Sequence, residues 1–298
     1  VMFEGDATEL AADTLLWQDH SGHLAGYALV DRFHNLLFQF RQGMPPTVRI
    51  ERELLGWAER RLLARTQAEV GAAGAASNAD EQAEQAEQAQ SAAPLTLDAA
   101  AQSEDVARVA LLLRNGFVAT GEATLHMARS LAPSAALPVA PLPPAFTLRP
   151  LAGEGEVAAY VAAHQAAYGT QRMTAEQRLA MLHQPAYRSE IDLVAVAGDG
   201  ALAAFCVCAY DRQEIARTGQ NEGEISIVGV RPEYRGQGLA RALIAEGLRR
   251  LQALGAQRAL LGVSGDNAQA IHVYESLGFQ TQYTTRWYAK PIERQWAP

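Results

Sequence analysis

The sequence predicts an α/β protein with mixed sheets, built from two halves that share one order of elements. Three observations lead to this prediction. Short apolar runs alternate with amphipathic helical segments, the first half repeats the element order of the second, and a proline-rich segment separates them. A chain of 298 residues is long enough for two domains.

The second half reads as strand, two helices, three strands, helix, strand, helix and two strands. Thr174 followed by Gln177 is typical of a capping-box helix start, and Gly-Asp-Gly at 198–200 predicts a hairpin turn. Gly255 and Gly278 follow helical patterns and are expected to end them. The last segment, "FQTQYTTRWYAKPI", is predicted to form strand, turn and strand.

The first half contains the same elements in a weaker form. "VALLLRNGFVATGEATLHMARSL" matches "IHVYESLGFQTQYTTRWYAKPI" as a helix end, a Gly-Phe pair and polar-apolar strands. We therefore predict one domain over residues 1–133, a proline-rich linker over 134–145 and a second domain over 146–298. The first half has fewer residues ahead of its hairpin, so either it is abridged or its start lies upstream of Val1.

The spacing of the two halves predicts an insertion at residues 71–93 of the first. The distance from the hairpin glycine Gly22 to Gly116 exceeds that from Gly200 to Gly278. The extra residues read "GAAGAASNADEQAEQAEQAQSAA", with almost no large apolar side chain to bury. Because alanine, glutamine and glutamate favour helix, this tract is predicted to be either a floppy loop or a solvated helical extension.

Charge and cysteine content narrow the class of protein. The net charge of −8 and a pI near 5.4 argue against a general nucleic-acid binder, which carries a basic face. The two cysteines, Cys206 and Cys208, alternate on one predicted strand and are expected to pack rather than form a disulfide. No apolar run is long enough to span a bilayer, and no signal peptide is visible. A reducing, cytoplasmic location is therefore expected.

A glycine-rich turn, "RPEYRGQGLARALI", joins a predicted strand to a helix from Leu239. The first N–H groups of a helix have no partner within it, and the helix dipole adds positive charge there. Gly236 and Gly238 would let the backbone approach an anion, and Arg235 would add a charge. The turn is therefore a candidate site for a phosphate or pyrophosphate, although such a loop is also found without a ligand.

The larger pattern resembles the Gcn5-related N-acetyltransferase (GNAT) family. "RGQGLA" fits the family signature of Arg or Gln, two residues, Gly, one residue and Gly or Ala, and "NAQAIHVYESLGF" echoes the family's tail. The resemblance covers about Phe146 to Ile292. It implies two tandem GNAT-like domains, each a twisted, mostly antiparallel sheet with a central parallel strand pair flanked by helices. The tandem architecture is similar to that of mycothiol synthase.

The resemblance also implies acetyl-CoA as cosubstrate and places it on the second half. The backbone of Val228 and Val230 would bond the pantetheine arm, which would lie where the two parallel strands splay apart, and Asn267 would touch the same arm. The pyrophosphate would lie on the amides of the signature turn: Arg235, Gly236, Gln237, Gly238, Leu239 and Ala240.

Amine acylation needs few catalytic groups, and the resemblance suggests three. Glu224 is the candidate general base, with Glu222 on the same strand as the alternative; a solvated strand-start charge would explain Glu224 equally well. Tyr274 would protonate the departing thiolate, or it is an aromatic residue of the core. The N–H of Val228 would bond the oxyanion. No metal is expected, because no ligand spacing is visible.

The first half departs from the family pattern at both motifs. "MPPTVRIERE" replaces the signature with two prolines and Glu51, which is expected to repel phosphate, and Leu112 replaces the tyrosine. We predict a degenerate domain that does not bind CoA in the usual way.

The predicted function is acyl-CoA-dependent N-acyltransfer, most simply of acetyl, to a small or peptide amine in a ternary complex. The alternative is a non-catalytic sensor or interaction protein that binds acyl-CoA. No nucleic acid or membrane partner is expected. The acceptor is not identified by the sequence; residues 165–187 and the first half are expected to shape its pocket.

Overall fold

The computed structural model describes residues 13–76 and 95–293. The contacts within the chain define two compact units. Unit 1 comprises Val1–Ala123 and Thr285–Pro298, and unit 2 comprises Thr124–Thr284. This division cuts two strands in the middle, whereas the domain bounds predicted from the sequence follow the repeat. Those bounds remain a prediction about the repeat.

Unit 1 begins with an antiparallel three-stranded meander packed on a long helix. Its elements are β1 (Thr14–Gln18), β2 (Leu24–Val30), β3 (Leu36–Phe40), α1 (Val48–Ala76), β4 (Thr96–Gln102), α2 (Val106–Arg114) and the start of β5 (Val118–Ser130). Leu54, Ala58 and Leu62 lie one helical turn apart on α1 and are fully buried against the strands. Helix α1 extends through residues 71–76 of the predicted insertion; residues 77–94 lie outside the described part of the chain.

Unit 2 contains a sheet of seven strands or strand segments flanked by helices. Its elements are β6 (Phe146–Pro150), a 3₁₀ turn (Gly153–Glu156), α3 (Val157–Tyr168), α4 (Ala175–Leu182), a 3₁₀ turn (Ser189–Ile191), β7 (Asp192–Ala197), β8 (Leu202–Ala209), α5 (Arg212–Thr218), β9 (Glu222–Val230), a 3₁₀ turn (Pro232–Tyr234), α6 (Leu239–Ala253), β10 (Arg258–Ser264), α7 (Ala268–Ser276) and the start of β11 (Gln280–Pro291). The strand order is β6-β7-β8-β9-β10-β5-β11, and of its registered pairs only β9 and β10 run parallel. The predicted mixed sheet with one central parallel pair is confirmed.

The two faces of the sheet in unit 2 are covered by different helices. Cys206 and Cys208 are buried with α6, where Gly247 leaves room for both sulfur atoms. Phe205 faces the other way and packs with Tyr160 of α3. Both cysteines are free and serve as small packing residues, as the alternation predicted.

The prediction of a strand, a turn and a second strand after each Gly-Phe pair is wrong. Each segment is one continuous strand, β5 in the first repeat and β11 in the second. The end of β5 pairs with β10 in unit 2, and the end of β11 pairs with β4 in unit 1. "TQYTTRWY" has no proline, glycine or asparagine to make a turn, and its β-branched and aromatic residues favour an unbroken strand.

The short helix α5 between β8 and β9 was not predicted. Asp211 caps its start by accepting from the N–H of Gln213 at 2.8 Å, and Gly219 ends it in the left-handed conformation. Both signals were present in the sequence, but a helix of seven residues is too short to show an apolar period.

A buried ion pair ties α4 to the first residue of β7. Arg178 is fully buried, donates to Asp192 and lies over the ring of Tyr160, with 3.8 Å from its Cζ to the ring centroid. Tyr187 donates to the same carboxylate at 2.9 Å. Burial raises the pKa of Asp192, although Arg178 and Tyr187 oppose that shift. This pair fixes α4 against the sheet.

No helix among the described residues combines the length and the apolarity that crossing a membrane requires.

Candidate active site

The parallel strands β9 and β10 part soon after they begin. Their registered pairs are Glu222 with Arg258, Gly223 with Ala259 and Glu224 with Leu260, and no later residue of either strand pairs with the other. We call the diverging region beyond Glu224 and Leu260 the β9–β10 split. The splaying that the resemblance implied is therefore present.

The backbone of Val228 and Val230 faces the β9–β10 split. The N–H of Arg231 bonds the carbonyl of Ala203 on β8 at 3.0 Å, so by alternation Gly229 also faces β8 while Val228 and Val230 face away. Two side chains reach these exposed carbonyls: the Tyr168 hydroxyl donates to Val228 at 2.9 Å, and Arg235 Nε donates to Val230 at 3.3 Å. The N–H groups of Val228 and Val230 and the second lone pair of each carbonyl remain for a ligand that bonds like an added strand.

The signature turn presents main-chain donors beside this edge. Gly236 and Gly238 have φ of 76° and 82°, a conformation that glycine adopts without strain. The first intrahelical hydrogen bond of α6 is the one from the N–H of Ala242 to the carbonyl of Gly238. The amides of Leu239 and Ala240 therefore have no acceptor within the helix. No atom lies within 4 Å of a Cβ built on either glycine. The turn therefore has room and donors for an anion.

The residues of the signature turn differ in their burial and in their hydrogen bonds. Leu239 is buried and Ala240 is partly buried in the core of unit 2, so only their amides can face a ligand. The amide of Arg235 bonds Pro232 at 3.3 Å, and its Nη2 donates to the carbonyl of Ala167 at the end of α3 at 2.7 Å. Gln237 is exposed.

The two glutamates of β9 differ in their contacts. Glu222 bonds Arg258 at 2.8 Å and its side chain is mostly covered. Glu224 is exposed and lies at the last registered pair, where the strands begin to part. Of the two candidates, Glu224 is thus the one whose carboxylate is not held in an ion pair with Arg258.

Tyr274 lies on α7, partly buried against the core of unit 2, with its ring 5.9 Å from that of Phe279. Burial raises the pKa of Tyr274 to about 12, and the nearby groups of Cys206 and Tyr168 act in the same direction. A tyrosine in this environment keeps its proton through the neutral and mildly alkaline range. It is able to act as an acid there.

Asn267 caps the start of α7. Its Oδ1 accepts from the N–H of Ala270 at 3.1 Å, so the side chain has a structural task in addition to any contact with a cofactor. Its amide nitrogen is the part left for a ligand.

Tyr168 was missed by the sequence reasoning, although it reaches the carbonyl of Val228. It is the last residue of α3, is 51% exposed and is followed by Gly169 in the left-handed conformation. Tyr160, His164 and Tyr168 recur every four residues; the ring of His164 stacks on that of Phe205, and the two tyrosine rings lie tilted to it. That aromatic period was visible in the sequence, but its closeness to β9 was not.

Within residues 13–76 and 95–293, no group of three or more His, Cys, Asp or Glu side chains is arranged to hold a metal ion.

Comparison with known proteins matches the second half of the chain to one family. The model of the acetyltransferase (GNAT) family matches residues 152–279. A mycothiol acetyltransferase of Kineococcus radiotolerans is 35% identical over 184 residues, which are 60% of this chain and 57% of that protein. The chain thus spans less than two thirds of the length of the curated relatives it matches.

Two solved structures share the fold over nearly the whole chain. A GCN5-related N-acetyltransferase from Sphaerobacter thermophilus superposes with a TM-score of 0.73 at 20% identity, covering 95% of this chain and 81% of that one. A tandem GNAT protein from the clavulanic acid biosynthesis pathway gives 0.63 at 17% identity, covering 94% and 84%. Together with the signature turn and the β9–β10 split, these matches show that residues 152–279 match the GNAT acetyltransferase family and that the chain has the fold of tandem GNAT proteins.

Proposed function

We propose that unit 2 transfers an acyl group, in the simplest case acetyl, from acyl-CoA to a primary amine within a ternary complex. The observation that carries the proposal is the junction of two features: the outward-facing backbone of Val228 and Val230 leads directly into the amide-bearing turn at Gly236 and Gly238. A pantetheine arm needs the first and a pyrophosphate needs the second.

The proposed reaction gives one role each to Glu224, Val228 and Tyr274. Glu224 takes a proton from the amine, whose nitrogen then attacks the thioester carbonyl carbon. The N–H of Val228 bonds the oxygen as it becomes negative. The carbon–sulfur bond breaks, and Tyr274 gives its proton to the departing thiolate. The nitrogen still carries two protons after the attack and releases one to solvent, Glu224 gives up its proton to solvent, and Tyr274 regains one from solvent. The products are the amide and free CoA.

The acceptor is proposed as a small primary amine. Because a matched relative is named a mycothiol acetyltransferase, an amine precursor of mycothiol belongs in the acceptor screen. The first test is calorimetric titration with acetyl-CoA, followed by release of CoA thiol in the presence of a panel of amines. One site per chain with amine-dependent release is expected. No binding contradicts the proposal, and binding without release for any amine supports the acyl-CoA sensor instead.

Replacing Glu224 by glutamine is expected to lower kcat/KM for the amine about tenfold or more at neutral pH. The deficit should shrink as the pH approaches the amine's own pKa, about 10.4 for a lysine-like amine, because the deprotonated amine needs no base. Glu222→Gln removes only the contact with Arg258 and is the matched control. Equal losses in both variants would reject Glu224 as the base.

Replacing Tyr274 by phenylalanine is expected to leave acetyl-CoA affinity unchanged and to lower kcat about tenfold. The loss is moderate because a thiol of pKa about 8.5 leaves readily as the thiolate. Since burial raises the pKa of Tyr274 to about 12, the wild-type rate should show no loss near pH 10 from ionisation of this residue. Pre-steady-state measurement of CoA release would check both points, and an unchanged kcat would remove Tyr274 as the acid.

A further inference from the structure

The two repeats carry matching helices at their strand splits. Helices α2 and α7 are both nine residues long, and each is followed by Gly-Phe. Asp105 caps α2 by accepting from the N–H of Arg108 at 3.0 Å, as Asn267 caps α7 by accepting from that of Ala270 at 3.1 Å. Arg108 and Ala270 therefore occupy the same third position of equivalent helices.

The strands of unit 1 match those of unit 2 in register. Phe38 lies opposite Ala28 on β2, and Val228 lies opposite Cys206 on β8. Ala28 and Cys206 stand at the same distance from their hairpin glycines, at 22 and 200. Phe38 is thus the counterpart of Val228, whose carbonyl faces the β9–β10 split.

Unit 1 has its own split between β3 and β4, and Arg108 spans it. The two strands share a single parallel bridge, between Asn35 and Asp98. Beyond it, Arg108 Nη1 donates to the carbonyl of Phe38 on β3 and Nε to that of Ala100 on β4, both at 2.9 Å. Its Cζ lies 3.9 Å from the centroid of the Phe38 ring. The guanidinium therefore bonds the counterpart of the Val228 carbonyl, which in unit 2 accepts from the Tyr168 hydroxyl beside the split.

Through these contacts the side chain of Arg108 occupies the split of unit 1 as a bound ligand would. A guanidinium carries donors in a rigid fork, so one group can bond carbonyls on two diverging strands, and the aromatic face adds a favourable contact for the charge. Burial lowers the pKa of Arg108, but a guanidinium keeps its charge in proteins.

Unit 1 also differs from unit 2 in the segment that stands where unit 2 has the signature turn. Glu51 was expected to repel phosphate, and the structure places its carboxylate inside unit 1 instead. It is only 4% exposed and accepts two bonds from the guanidinium of Arg114, so its charge is neutralised inside unit 1. The glycine turn is replaced by Pro45, Pro46 and Thr47, of which the prolines have no N–H and the threonine hydroxyl accepts from the N–H of Ile50 at 3.3 Å, and the split beside it is filled.

We propose that the third residue of this helix decides whether the strand split takes a cofactor. Arg108 fills the split of unit 1 with its own side chain, and Ala270, with a single methyl group, leaves the split of unit 2 open to acyl-CoA. The statement about Ala270 rests on the proposed function, whereas the statement about Arg108 does not.

The first experiment transfers the arginine to unit 2. Ala270→Arg is expected to weaken acetyl-CoA binding at least about 100-fold, because the new guanidinium would bond the Val228 carbonyl and occupy the pantetheine path. The melting temperature should stay at or above that of the wild type. His272→Arg adds the same charge to an exposed position two residues along, which faces another side of α7, and should bind normally. Normal affinity in Ala270→Arg overturns the proposal.

The second experiment removes the arginine from unit 1 and needs no cofactor. Arg108→Ala is expected to lower the melting temperature by about 4 °C or more, and Arg52→Ala, at an exposed site, by little. Millimolar methylguanidinium should recover part of the loss in Arg108→Ala alone. Arg108→Lys has a single ammonium group that cannot bond both strands as a planar fork does. Its melting temperature should lie between those of Arg108→Ala and the wild type. An unchanged melting temperature in Arg108→Ala would overturn the inference for unit 1.

The two experiments separate the possible failures. If the wild type does not bind acetyl-CoA, the proposed function fails, while Arg108 is still tested by melting. If the wild type binds acetyl-CoA at one site per chain and Ala270→Arg binds equally well, the proposed function stands and the present inference fails. Two sites per wild-type chain would show that Arg108 does not close unit 1.

Discussion

Replacing Gly238 by aspartate is expected to abolish acetyl-CoA binding at micromolar concentrations while the protein stays folded. The carboxylate would project into the open space beside the turn, where the proposed pyrophosphate lies. Opposing two like charges there costs several kcal/mol, and each 1.4 kcal/mol is a factor of ten in affinity, so a loss of at least about 100-fold follows. Titration calorimetry of the variant against the wild type measures it.

Gly238→Asn is the matched control for this substitution. Asparagine has nearly the same shape as aspartate and the same tolerance for the left-handed conformation that residue 238 adopts, but it carries no charge. Both residues are good helix caps, so neither should unfold α6. The asparagine variant should lose about tenfold or less. Equal losses would assign the effect to shape rather than charge, and normal affinity in Gly238→Asp would contradict the placement of the pyrophosphate on this turn.

Replacing Arg178 by alanine is expected to destabilise the protein by about 3–5 kcal/mol, because Asp192 would be left buried without its cation. Arg178 is fully buried and Asp192 nearly so, and neither group can move into water without displacing α4. Chemical denaturation monitored by circular dichroism gives the free energy of unfolding. Arg188→Ala, which removes a partly exposed pair with Glu190, should change it by about 1 kcal/mol or less.

A double-mutant cycle separates the attraction within the pair from the cost of an unpaired charge. Arg178→Met with Asp192→Leu should recover much of the loss, because burying two apolar side chains in place of an ion pair is often neutral. Tyr187 would lose its acceptor in that variant, so recovery should be incomplete. A double variant as unstable as Arg178→Ala would indicate that the lost packing of Arg178 on Tyr160, rather than the charge of Asp192, sets the effect.

Much of the fold was predictable because its signals are local. The capping box at Thr174, the hairpin at Gly198–Gly200 and the glycine ends of α6 and α7 depend on residues a few positions apart. The signature turn is local in the same way, since both glycines, the helix start and the preceding strand are contiguous in the chain. The short helix α5 was missed because seven residues are too few to show an apolar period. The unbroken strand β5 was missed because Gly121 interrupts its pattern, and β11 was missed although it contains no residue that favours a turn.

By itself, then, the sequence determined most of the order of elements and the place of the turn at residues 235–240, and the family resemblance implied the central parallel pair. Only the tertiary structure decided which strand ends belong to which unit, that Tyr168 reaches Val228, that Glu51 is neutralised by Arg114 and that Arg108 spans the split of unit 1. The physical reason is range. Caps and turns are satisfied within a few residues, whereas the partner of a long polar side chain is set by strands distant in the chain that folding brings alongside it.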